Sequence, residues 1–127
     1  MFISSSVNII KDISRDSPYP KPELKKIANN KSAYDYLDEA LSREGVHEVP
    51  ANGLRTSWIE GNYTIKVRVH NGDPRYTAAK QIFRVQRQAF PVNNTGWEYL
   101  GTNGIWYRVS FLKTNDYAAM ITHIPIP

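Results

Sequence analysis

The sequence predicts an α+β domain, with an N-terminal helix or helices packed on one face of a four- to five-stranded antiparallel sheet. Three observations carry that expectation. Apolar residues recur at three- and four-residue spacing in one early segment and at a spacing of two over most of the later chain. Turn signals of the Gly-Asn and Asn-Gly kind separate the period-two runs. The chain of 127 residues, 41% of them hydrophobic, holds enough apolar material for one core and is too short for a second full domain.

Residues 1–30 read as a lead-in, because Pro18, Pro20 and Pro22 in SRDSPYPKPELKK favour extended chain and block a helix there. The domain proper spans residues 31–127. In SAYDYLDEALSREG, Ala33, Tyr36, Leu37, Ala40 and Leu41 form one helical stripe, with Ser32 as N-cap and Gly45 as the stop. Ile65, Val67 and Val69 then alternate with Thr64, Lys66, Arg68 and His70, which describes a strand with a core face and a polar face. Its hairpin partner is RTSWIE, joined through Gly61-Asn62. Over 74–88 two readings stand: Asp73-Pro74 is a good helix start and Ala79, Ile82 and Phe83 suit a helical stripe, while QIFRVQRQ alternates equally well as a strand. The favoured reading is a short helical turn over 74–80 and then a strand over 81–88. WEYLGT and IWYRVSFL flank Asn103-Gly104 as a second hairpin, and MITHIPIP alternates as a terminal strand.

Composition removes several chemistries. The absence of cysteine excludes disulfides, thiolate nucleophiles, iron–sulfur clusters and cysteine-ligated zinc. No apolar run reaches the roughly 18 residues of a bilayer-spanning helix. The net charge of +4 is unevenly spread: residues 1–45 carry seven basic and seven acidic groups, and residues 46–127 carry nine basic against five acidic. Those five, Glu48, Glu60, Asp73, Glu98 and Asp116, are scattered without the D-x-D or D-x-N pairing that gathers Mg²⁺ ligands, and His47, His70 and His123 lack zinc-site spacing. The expected chemistry therefore needs no metal and no cofactor. Phosphate-loop, dinucleotide, hydrolase-elbow and zincin motifs are missing as well.

The period of two assigns the candidate site. With Ile65, Val67, Val69, Phe83 and Val85 toward the helix, Lys66, Arg68, His70, Arg84 and Gln86 face away. Burying Tyr107, Val109 and Phe111 sends Trp106, Arg108 and Ser110 to the same open face, and burying Thr122, Ile124 and Ile126 sends His123 there. Cations, imidazoles and flat rings on one face suit a single-stranded or looped RNA backbone. They also suit its cleavage: the ribose 2′-hydroxyl is an internal nucleophile, so a general base, a general acid and positive charge suffice. His70 and His123 are the acid–base candidates, with Arg68 as charge stabiliser. Lys66, Arg84, Arg108 and Arg55 are the phosphate contacts, and Tyr76 and Trp97, near turns, the stacking rings. The same pattern also describes an ordinary solvated sheet face. A non-enzymatic RNA- or protein-binding module is the alternative, and a metal-dependent DNase the third reading.

The layout of a proline-punctuated lead-in, the SAYDYLDEALSREG helix, NGLRTSW, the KVRVH strand, GWEYLGTNGIWYRVS and a terminal THIPIP resembles the C-terminal toxin domains of contact-dependent growth inhibition and other bacterial polymorphic toxins. More narrowly it looks like RNase toxins of the barnase, EndoU, colicin and RelE type, over about residues 31–127. That resemblance implies a ribonuclease, often acting on tRNA in the cytoplasm of a target cell, with a host translation factor as an optional activator. It also implies neutralisation by a cognate acidic immunity protein and delivery as the tail of a larger secreted or cell-surface protein. The positions matching such a site are Arg68 and His70, Thr122 and His123, and Arg84. The close histidine pair with lysine of EndoU-like enzymes and the glutamate base of barnase have no counterpart, since Glu60 and Glu98 stand at hairpin ends. Which residue serves as base is left open by the sequence.

Overall fold

The computed structural model describes residues 31–93 and 96–127, so the lead-in over residues 1–30 lies outside the described residues. Helix α1 runs Ala33–Glu44 as the stripe predicts. Ser32 Oγ accepts from the Asp35 N–H while the Asp35 side chain accepts from the Ser32 N–H, a reciprocal cap that satisfies two orphan donors. Gly45, at φ 72°, ends the helix in the left-handed region that a side chain disfavours.

Strands β1 (Leu54–Glu60), β2 (Tyr63–Asn71), β3 (Gln81–Ala89), β4 (Glu98–Leu100) and β5 (Trp106–Arg108) pair antiparallel in sequence order, and β6 (Ile124–Pro125) pairs with β3. The result is an α+β domain with its helix on one side of the sheet. Ala33, Tyr36, Leu37 and Ala40 of α1 meet Trp58, Ile65, Val67, Val69, Phe83, Val85, Leu100, Trp106 and Ile124 in the main core. Lys31 clasps the helix to β1, with Nζ 2.6 Å from Glu39 and 2.7 Å from Glu60, while the indole of Trp58 donates to Glu60 at 3.0 Å. Among the described residues no helix is long and apolar enough to cross a membrane.

Three sequence expectations change. IWYRVSFL is not one strand, because β4 offers partners only as far as Arg108. Beyond that point the backbone satisfies itself in the short helix α2 (Val109–Leu112), which stacks Phe111 on Tyr107 at 5.7 Å. MITHIPIP is a strand only over Ile124–Pro125, because Asn115 caps a helix α3 (Asp116–Ile121) by accepting from the Ala118 N–H at 2.9 Å, burying Ala118 and Ala119. The stretch 74–80 makes one turn, with the Tyr76 and Thr77 N–H groups on the Asp73 carbonyl, and then closes as a loop through Gly72 N–H to Lys80 O at 2.9 Å. The Asn103-Gly104 hairpin does form, but its loop spans 101–105 between the paired Leu100 and Trp106.

Candidate functional site

The sheet face away from α1 is laid out by register. Arg55 stands opposite Arg68, and Arg68 opposite Arg84. The β3–β6 pairing of Phe83 with Ile124, extended by one residue, puts His123 beside Arg84. The neighbouring row runs Gly53, His70, Ile82 and Pro125 by the same counting. His70 and His123 are thus diagonal neighbours across β3, near enough for their charges to interact.

Each imidazole is held by a backbone carbonyl. His70 Nδ1 lies 2.9 Å from Asn71 O, and His123 Nδ1 meets Ala119 O. A carbonyl only accepts, so in the neutral ring Nδ1 carries the hydrogen and Nε2 the lone pair. In His70 that Nε2 is enclosed and has no partner among the described residues. The ring of Tyr76, carried by the 72–80 loop, stacks on His123 at 4.6 Å and 22°. Asp73 anchors the loop through Arg75, whose side-chain and backbone hydrogen bonds hold the Asp73 carboxyl down to about 2. Gly72 is required there, since a Cβ would stand 2.1 Å from Ala79 O.

Arg84 lies between the imidazoles and is largely immobilised. Its Nε donates to Thr122 O at 3.3 Å, Nη2 to Thr122 Oγ1 at 3.4 Å, and its Cζ rests 3.9 Å over the Tyr99 ring. Burial is the main reason that its guanidinium is pushed down to about 10, still cationic at neutral pH. Burial also lowers the His123 pKa, and the charge of Arg84 lowers it further against the opposing pull of the Ala119 carbonyl and Asp73.

The predicted residues divide accordingly. His70, His123, Arg68, Arg84 and Tyr76 come together, and Arg55 flanks them on β1. Lys66 and Trp97 form their own pair on that face, with the ammonium 4.7 Å over the indole. Thr122 is fully buried, and its hydroxyl sits 3.0 Å from both the Ala118 and Ala119 carbonyls, so it braces Arg84 and does not reach a substrate. Arg108 does not join the cluster: its partner Glu98 pairs with Arg87, on the α1 side of the sheet. Trp106 is likewise a core residue, not an outward one. The sequence pattern singles out neither Tyr99 nor Gly53, because their places are set by cross-strand register, which no local pattern encodes. Among the described residues no group of three or more histidine and carboxylate side chains could hold a metal ion.

No protein-family model, no curated protein and no solved structure matches the chain.

Proposed function

We propose that the protein is an endoribonuclease that cleaves RNA by metal-independent 2′-hydroxyl transesterification. The observation that carries this is the pair of imidazoles flanking the cation of Arg84, each tied through Nδ1 to a carbonyl so that Nε2 is the nitrogen left for proton transfer, the enclosed Nε2 of His70 needing to be uncovered as substrate binds. His123, kept neutral, takes the proton of the 2′-hydroxyl. The 2′-oxygen attacks phosphorus, the bond to the 5′-oxygen breaks, and His70 returns a proton to that oxygen, leaving a 2′,3′-cyclic phosphate and a 5′-hydroxyl. Arg84 and Arg68 stabilise the charge that builds up on phosphorus oxygens. The parts of the reading that concern tRNA, a toxin and a cognate immunity protein rest on the layout resemblance.

The test is incubation of the full chain with total tRNA in EDTA. Cyclic-phosphate ends should accumulate, and His70→Ala or His123→Ala should each slow cleavage by about 10²–10⁴-fold without altering the circular dichroism. RNA that stays intact while binding with strong salt dependence would replace the enzyme with a binding module.

A further inference from the structure

The three arginines that stand side by side across β1, β2 and β3 make a feature that acid–base chemistry does not need. Arg55, Arg68 and Arg84 are consecutive lateral neighbours on one face. Like charges directly opposed across strands repel. The sequence could relieve that with a carboxylate, yet the described carboxylates in ion pairs, Glu39, Glu60, Asp73 and Glu98, hold other partners. Arg68 is steadied by donating to the neutral Gln86 Oε1 at 2.7 Å, and the Arg84 guanidinium is lowered in part by the charge of Arg68. Arg55 is exposed. At the ~4.8 Å spacing of strands the row covers about 10 Å, the length of about three steps of a stacked strand at ~3.4 Å rise.

Both ends of the row are shaped. At the β1 end Gly53 leaves no side chain beside His70, and a groove of about 370 Å³ opens there, lined by Gly53, Arg55, Arg68 and His70 among others. A Cβ at Gly53 would lie 2.6 Å from Val69 O, so the bare backbone is a requirement of the site's floor. At the other end the 72–80 loop rises over His123 through Tyr76. A row of ~10 Å that runs from a groove to a stacked aromatic loop matches the footprint of a single strand.

We infer that the Arg55–Arg68–Arg84 row is a phosphate track for single-stranded RNA, which crosses the sheet perpendicular to its strands and delivers one linkage to the two histidines. This rests on the proposed ribonuclease reading and adds the form and path of its substrate. It is tested with a fluorescein-labelled single-stranded deoxyoligonucleotide, which lacks the 2′-hydroxyl and cannot be cut, and with the same sequence as a duplex. Anisotropy of the full chain should show the single strand binding at least tenfold more tightly than the duplex. The slope of log K against log salt should be about −2, three contacts at ~0.7 each. Arg55→Ala and Arg68→Ala should each weaken binding several-fold and flatten the slope by about 0.7. Arg43→Ala, on α1, should change neither. Unaltered slopes in both track variants, or a duplex bound as tightly, overturn the track even if the protein cleaves RNA. Single-strand binding with the expected slope, from a chain that leaves RNA uncut, keeps the track and overturns the ribonuclease.

Discussion

His123 is where geometry and titration meet. Its folded pKa lies below the ordinary imidazole value because burial and Arg84 oppose its charge. The unfolded chain therefore takes up a proton first as pH falls, so this group's contribution to stability is present above pH ~6.5 and is lost on acidification through and below that value. Chemical denaturation at pH 7.5 and 5.5 should show the wild type losing more stability than His123→Gln. Arg84→Gln removes one of the depressing causes, so the His123 titration followed by NMR should move upward in pH. A downward move would mean that Arg84 does not set the proton affinity of the ring.

At the scale of elements, the caps decide what the site can keep in place. Asn115→Ala should cost about 1 kcal/mol by removing the cap of α3, and because Thr122 and His123 come directly after that helix, cleavage should fall more than thermal stability does. Gly72→Ala forces Ala79 O away and should displace Tyr76, which NMR would show as a changed ring-current shift at His123. Helix α1 and the β1–β2 hairpin were legible in the sequence because the helical stripe has a cap at each end and Ile65, Val67 and Val69 alternate next to the Gly61-Asn62 turn; β3 was less so, since Ala79, Ile82 and Phe83 also fit a helical stripe. The C-terminal third was harder to read. Val109, Phe111, Thr122, Ile124 and Ile126 alternate, yet the partner strands run out, and the Asn115-Asp116 cap wins. That cap signal was present in the sequence. The place of His123 beside Arg84 was not, since it depends on which edge of β3 receives β6.

Over the whole molecule, the main core lies on the α1 side of the sheet and the candidate site on the other, where Thr122 beneath Arg84 is itself buried. Leu37→Ala should cost about 2–5 kcal/mol in urea unfolding by emptying core volume under α1, while leaving the cleavage rate of the folded protein near that of the wild type. A matching loss of rate at temperatures where the variant is folded would show that the two sides are coupled. The pairing of β3 carries a last consequence. One stretch of its free edge holds β4 at Gln86 and Arg87, and the other holds β6 through two residue pairs, Ile82 with Pro125 and Phe83 with Ile124. That short zipper is the strand pairing that fastens His123 to a partner lying 53 residues earlier in the chain, His70. Fraying of β6 would part the two rings while the helix and long strands stay assembled, so inactivation on warming should precede the cooperative melt, and the Ile126 amide should exchange with deuterium ahead of those in β2 and β3.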